Sequence, residues 1–266
     1  MKQEIYSNLS AECPWRDTLY WYDTIDSTNT KIKTLALEGA PHGTVVIAAH
    51  QTAGRGRMGR SFHSPSGMGL YLSVLLRPLC PPEALMHLTC SAGVATCNGI
   101  ESCTGFRPGI KWVNDLIAEE KKLGGILTQL SLDPKTGLVN FAIVGIGINC
   151  HHRPEDFPPE LSSIATSLAQ CLPSAPSVSQ LAAALISALY EMDQRLLANH
   201  RQLMEQYQQD CVTLGKPVTV IRENAQQQGV ALSVDHRGGL VVEYADGSRE
   251  TVNSGEVSIR GIGGYI

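Results

Sequence analysis

A seven-residue segment of alternating glycine and arginine character, Gly54-Arg55-Gly56-Arg57-Met58-Gly59-Arg60, lies between two apolar runs, 44–49 and 70–76. Runs of that length and composition predict buried strands. The segment therefore leaves one strand and enters another, and its three arginines are pinned near a core rather than carried on a free tail. The glycines let backbone approach a ligand closely. The arginines supply planar donors for phosphate or carboxylate. Gly54 to Gly59 also reads as Gly-x-Gly-x-x-Gly, but a dinucleotide-binding turn has to open a helix. Pro65 speaks against a helix here, so that reading is set aside. An Arg-Gly RNA-binding stretch and a solvated cationic turn are the plainer alternatives.

The chain has 266 residues, with 21 basic against 25 acidic side chains and a net charge of −4. That length fits one large domain with a small one. A slightly acidic chain has no global field that draws it to phosphate, which excludes a general nucleic-acid or membrane-surface binder. Phosphate has to be held by a local cluster of cations. No apolar run is long enough to cross a bilayer, and the polar start Met1-Lys2-Gln3-Glu4 lacks a signal-peptide core, so a cytoplasmic protein is expected. The eight cysteines are scattered without a Cys-x-x-Cys pair and read as reduced core residues.

Residues 1–18 are polar and unpatterned and read as a loose or partly packed arm. Strands are expected at 19–22, 44–49, 70–76, 109–113, 116–118, 126–132 and 138–148, with a bend at Leu123-Gly124-Gly125. Helices are expected from Asp26-Ser27-Thr28-Asn29 to Gly39, from Pro82 toward Ile100, and over 161–172, 179–197 and 201–214. Antiparallel strand pairs mixed with helices give an α+β class for residues 19–214. At Gly215-Lys216-Pro217 the rhythm changes to short strands with frequent turns, which predicts a small all-β barrel over 215–266.

Four further segments carry candidate chemistry. In Lys111-Trp112-Val113-Asn114-Asp115, strand alternation puts Lys111 and Trp112 on opposite faces; Lys111 suits phosphate and Asp115 suits Mg2+, against a solvated turn. In Lys121-Lys122-Leu123-Gly124-Gly125, a lysine beside paired glycines suits a carboxylate or phosphate, against a basic hairpin tip. In Gly145-Ile146-Gly147-Ile148-Asn149, alternate glycines on one face leave a slot for a slim ligand, or allow close strand packing. Ser27-Thr28-Asn29 offers hydrogen bonds to a ligand, or simply caps a helix.

In this order, Ser27-Thr28-Asn29, Gln51-Thr52-x-Gly54-Arg55-Gly56-Arg57-x-Gly59-Arg60, Lys111-Trp112-x-Asn114-Asp115, Lys122-Leu123-x-Gly125-Ile126-Leu127 and Gly145-x-Gly147-x-Asn149 make the chain resemble the biotin–protein ligase family over most of its length. The resemblance implies a catalytic domain like that of class II aminoacyl-tRNA synthetases, with a mixed sheet and flanking helices, followed by an SH3-like β-barrel. It implies that ATP, with Mg2+, activates biotin to biotinyl-5′-AMP. The biotinyl group then passes to one lysine of a biotin carboxyl carrier domain, typically that of acetyl-CoA carboxylase. By motif, Ser27, Thr28, Asn29 and Gln51 would bind biotin, together with Arg55, Arg57, Lys122 and Gly125. ATP or the adenylate would meet Arg57, Arg60, Phe62 and Lys111, and also Asn114, Lys122, Asn149 and Arg260. Arg57, Lys111 and Lys122 would be catalytic, Asp115 would hold Mg2+, and Gly145 and Gly147 would shape the wall.

Two departures accompany the resemblance. Phe62 stands where tryptophan is frequent, giving a smaller ring over the adenine, and Val113 stands where proline is common, leaving the backbone less fixed. Family members that repress transcription carry an N-terminal winged-helix domain. Few residues precede the first strand here, so a ligase without a DNA-binding domain, and with no nucleic-acid partner, is expected. The edge strands of the large domain offer pairing to a carrier or to a second copy as a homodimer. The rivals are a lipoate or octanoate ligase of the same fold and a non-catalytic RNA-binding module. The enzyme reading makes one strict demand: Arg55, Arg57, Arg60, Lys111 and Lys122 have to meet at one partly dry spot to screen a carboxylate approaching a polyphosphate.

Overall fold

The computed structural model describes residues 1–222, 225–253 and, for the backbone, 258–261. The elements of the first part are α1 (Lys2–Asn8), β1 (Leu19–Ile25), α2 (Thr28–Leu37), β2 (Val45–Gln51), β3 (Gly69–Leu76), α3 (Leu88–Thr104), β4 (Gly109–Lys111), β5 (Asp115–Ala118), β6 (Lys121–Leu132), β7 (Val139–Asn149), α4 (Leu168–Cys171), α5 (Val178–Arg195) and α6 (His200–Asp210). The second part adds β8 (Pro217–Ile221), β9 (Gln226–Val234), β10 (Leu240–Tyr244), β11 (Arg249–Val252) and β12 (Ser258–Gly261).

The first seven strands form one mixed sheet in the order β1-β2-β3-β7-β6-β5-β4, with only β1 and β2 parallel. β3 is apolar at nearly every position, and all eight of its residues are buried, as a strand covered on both faces has to be. On one face lies the main core, which includes Val94 and Cys97 of α3 and Leu185 and Ile186 of α5. On the other, Ile32 and Ala36 of α2 pack with Val46, Leu75, Phe141 and Ile143. α5 starts at a capping box formed by Ser177 and Gln180.

The structure departs from the expected elements in informative places. Residues 1–18 contain α1, whose Ile5 is fully buried, and Trp15, which is 2 % exposed; the polar residues of this stretch are the outward face of a short packed helix. β6 starts at Lys121, so the expected bend at Leu123-Gly124-Gly125 is an irregularity inside a strand: the pairing with β5 passes from Lys122 to Gly124 and leaves Leu123 as the extra residue of a bulge. A Cβ at Gly124 would press on the Gly147 carbonyl of β7, and glycine thus admits the neighbouring strand. Only α4 forms within 161–172, because the preceding stretch is drawn onto β6: Lys122 N–H donates to the Ile164 carbonyl at 2.7 Å and Thr166 N–H to the Lys122 carbonyl at 2.9 Å. α6 stops at Asp210, after which Val212 N–H donates to the Ile110 carbonyl at 2.9 Å. Pro82–Leu85 is a 3-10 turn that precedes α3 rather than part of it.

The last five strands form a separate antiparallel sheet in the order β11-β10-β9-β8-β12. Its 235–239 turn docks on the large domain, where Trp112 Nε1 donates to the Gly238 carbonyl at 2.9 Å. All eight cysteines are free thiols, six of them buried. Among the described residues no helix is long and apolar enough to cross a membrane.

Candidate active site

A cavity of about 530 Å3 opens on the sheet beneath the arginine-rich loop, a volume suited to a small organic ligand. It gathers Ser27, Thr28, Asn29 and Gln51 at one end. Arg55, Arg57, Arg60 and Phe62, with Lys111, Asn114, Asp115 and Lys122, line the other, and Gly125, Gly145 and Gly147 form wall between them. Segments up to 120 positions apart converge because β2, β3, β7 and β6 are neighbours in the sheet and the loops at one end of them face each other.

The first end is neutral and tightly hydrogen-bonded. Ser27 precedes α2, is 2 % exposed, and makes no side-chain cap on that helix. Thr28 N–H donates to Gln51 Oε1 at 2.8 Å, which orients the Gln51 amide, and Gln51 Nε2 donates to Ser64 Oγ at 2.9 Å. Asn29 faces into the wall: its Nδ2 donates to Gln129 Oε1 at 3.0 Å and to the Leu127 carbonyl at 3.4 Å, and its Oδ1 accepts from Ser73 at 2.7 Å. Asn29 therefore shapes this end, since its whole amide is already engaged. The alternate glycines of β7 border the cavity and also allow close packing. A Cβ at Gly145 would collide with Asn29 Oδ1, and one at Gly147 would lie 2.6 Å from Phe62 Cε1. Each glycine makes room for a protein side chain, and Phe62 is seated on β7, edge-on to Tyr71.

The second end is charged. The 54–60 loop is closed by Gly56 N–H donating to the Arg60 carbonyl at 2.7 Å and Phe62 N–H donating to the Gly54 carbonyl at 2.9 Å. It opens no α-helix, only a 3-10 turn at Arg57–Gly59, in keeping with Pro65. Arg57 Nη1 donates to Asn114 Oδ1 at 2.9 Å, and Lys122 Nζ donates to Asp115 Oδ1 at 2.6 Å. Burial pulls the Arg57 guanidinium below its ordinary value, with Asp115 opposing and Arg60 adding to that shift; it remains a cation at neutral pH. Among the lining residues five cations face one carboxylate, Asp115, so this end is positive inside a chain of net charge −4.

Tertiary contacts fix the backbone at Val113. Its carbonyl accepts from the buried Tyr207 hydroxyl at 3.2 Å, and Trp112 N–H donates to Thr213 Oγ1 at 2.9 Å. α6 and the segment after it hold here what a proline ring would otherwise restrain. One expected site residue among those described, Asn149, is not in the lining. Asn149 is 5 % exposed and donates from Nδ2 to the Thr166 carbonyl at 2.9 Å, tying β7 to the 161–166 stretch. Arg260 lies on β12 opposite Thr219, and its side chain is outside the described residues. Sequence reasoning missed Ile164 and Met58 in the wall, and Ser73 and Gln129 behind it. Ser73, a polar residue inside an apolar run, was the one available signal; Ile164 arrives through pairing with β6, which leaves no local trace.

The family model described as "Biotin/lipoate A/B protein ligase family" matches residues 21–149, and that described as "Biotin protein ligase C terminal domain" matches 213–260. The bifunctional ligase/repressor BirA of Bacillus subtilis (strain 168) is 36 % identical over 256 residues, covering 94 % of this chain and 76 % of that protein. The chain belongs to the biotin protein ligase family. This ligase is also 32 % identical, over 87 % of its own length and 85 % of the other's, to the biotin–[acetyl-CoA-carboxylase] ligase of Mycobacterium tuberculosis. A solved structure of biotin protein ligase from Aquifex aeolicus in complex with biotin and ATP superposes with a TM-score of 0.78 and 28 % identity, covering 92 % of this ligase and 99 % of that chain.

Proposed function

We propose that this ligase uses ATP to attach biotin to one lysine of a carrier, the biotin carboxyl carrier domain of acetyl-CoA carboxylase or of a related carboxylase. The observation that carries the reading is the union of a neutral, hydrogen-bonding end and a five-cation end in one cavity. Biotin has a neutral ring urea at one end and a carboxylate at the other, and that carboxylate has to approach the triphosphate of ATP. Cations at the meeting point offset the repulsion. A carboxylate oxygen attacks the α-phosphorus, the bond to the bridging oxygen of the β-phosphate breaks, and pyrophosphate leaves. The nucleophile is already ionised, so no base is needed. The mixed anhydride reacts readily with water, and the glycine-rich 54–60 loop suits a cover that keeps water out. The neutral amine of the carrier lysine then attacks the acyl carbon, AMP departs, and the nitrogen sheds a proton to give the amide.

In this reading Ser27, Thr28 and Gln51 take the urea, and Arg57 and Lys122 the carboxylate and α-phosphate. Lys111, Arg55 and Arg60 serve the remaining phosphate charge, and Phe62 the adenine side. Arg260 is assigned to ATP on the resemblance alone. Mg2+ belongs with the nucleotide: among the described residues no three His, Cys, Asp or Glu side chains form a metal cage. Asp115, ion-paired to Lys122, offers one carboxylate to an ion carried mainly by phosphate oxygens. We further infer that the catalytic fold, 19–214, is related to class II aminoacyl-tRNA synthetases, and that 215–266 is an SH3-like barrel. Five short antiparallel strands with the last beside the first favour the barrel. Free thiols throughout favour the cytoplasm. β1, at an edge of the large sheet, suits pairing with a carrier or with a second copy.

ATP–pyrophosphate exchange tests the reading. Exchange is expected to depend on biotin; exchange supported by lipoate or octanoate and not by biotin would overturn the substrate. A non-catalytic RNA binder is disfavoured because the arginines of the loop line a cavity shared with neutral residues.

A further inference from the structure

Ser73 is fully buried in β3, outside the cavity lining, yet its hydroxyl oxygen lies 2.8 Å from Thr28 Oγ1 and 2.7 Å from Asn29 Oδ1. Backbone groups fix the polarity of this cluster. The Leu127 carbonyl accepts from Asn29 Nδ2, so Asn29 Oδ1 is the atom turned to Ser73. The N–H of Thr28 donates to Gln51 Oε1, so Gln51 Nε2 is the atom turned to Ser64. Ser64 in turn donates to the Phe62 carbonyl at 2.9 Å. Gln129 Oε1 completes the engagement of Asn29.

Proton counting then decides what the wall presents. Ser73 has one hydroxyl proton for two acceptors. If it goes to Thr28, the Thr28 proton goes to Gln51 Oε1 at 3.2 Å. If it goes to Asn29, the Thr28 proton has both Ser73 Oγ and Gln51 Oε1 as acceptors. In either case Thr28 directs its proton inward and turns a lone pair to the cavity. Gln51 Nε2, with two protons and one engaged by Ser64, keeps one for a ligand. We propose that Ser73, held with Asn29 and Gln129, is a specificity-determining positioning residue: it makes this end an N–H acceptor beside a carbonyl donor, the complement of a urea edge.

The proposal rests on the biotin reading and deepens it. A site built to accept an N–H discriminates strongly against an isostere that lacks one, because its own lone pair is then opposed. The test compares biotin with its cyclic carbamate analogue, in which one ureido N–H is replaced by oxygen, in the 266-residue chain by ATP–pyrophosphate exchange. The unmodified chain is expected to prefer biotin by at least about 100-fold in kcat/KM. In Ser73→Ala the Thr28 hydroxyl keeps only the longer 3.2 Å contact to Gln51 Oε1, already shared with the Thr28 N–H, and is held less firmly with its proton inward. The preference is expected to shrink about 10-fold, with the KM for biotin raised and that for ATP unchanged. Gln129→Met, a change at a half-buried position, is expected to shrink it about 3-fold and serves if Ser73→Ala fails to fold. An unchanged preference in a folded variant overturns the role of the cluster. Absence of biotin-dependent exchange in the unmodified chain instead overturns the substrate reading.

Discussion

The two ends of the cavity are built on opposite principles. At the Thr28 end the polar atoms are buried, neutral and engaged with one another, and they are carried by strands and a helix start. At the Arg57 end the groups are charged and half-exposed or exposed, and three of the five cations ride on a loop. The first end can be rigid because a neutral ring is recognised by matching donors to acceptors. The second has to admit and release a polyphosphate and then a protein lysine, so its attraction is long-ranged and its backbone adjustable.

The largest expected break in this contrast is Lys122→Ala. It removes the cation paired to Asp115 and leaves that carboxylate facing the incoming phosphates, so exchange is expected to fall by more than about 100-fold; near-normal exchange would remove Lys122 from the chemistry. Arg57→Ala comes next. Loss of one charge-assisted donor is expected to weaken retention of the adenylate roughly 10- to 100-fold while thermal unfolding stays in place. The readout is biotinyl-AMP released to solution.

Salt sharpens the comparison without a mutation. Raising ionic strength from about 0.05 to 0.5 M is expected to raise the KM for ATP about threefold and to leave that for biotin within error; parallel increases would mean the ends are not electrostatically distinct. Acid is expected to act least on the site itself, since among the described residues no histidine lines the cavity. It acts on the fold. Burial, helped by His200 in one case and His63 in the other, holds His87 and His152 neutral, with pKa values pulled down to about 4. In the unfolded chain these rings take up protons near 6.5. The unfolded state therefore binds more protons between those values, and stability falls as pH is lowered through that window. Thermal midpoints between pH 7 and 4 check this, and His87→Gln with His152→Gln is expected to flatten the slope.

The motifs already named most of the lining, because glycine, arginine and lysine at those spacings have few structural uses. Their partners were illegible. Asn29, which the motif gives to biotin, lines the cavity, and its amide is engaged by β3 and β6, which no local pattern shows. Gly145 and Gly147 read equally as a ligand slot or as close packing; they line the cavity and seat Asn29 and Phe62. Asn149 ties down a loop.

The amino-acid sequence by itself determined the two-part architecture, the buried strands flanking the loop and the identity of the cations, since apolar runs, turn residues and charged clusters are local properties of the chain. Only the tertiary structure decided which atoms remain available to a ligand. That depends on hydrogen bonds between residues as much as 100 positions apart, such as Asn29 with Gln129, and each donor or acceptor taken by the protein is one the ligand does not meet.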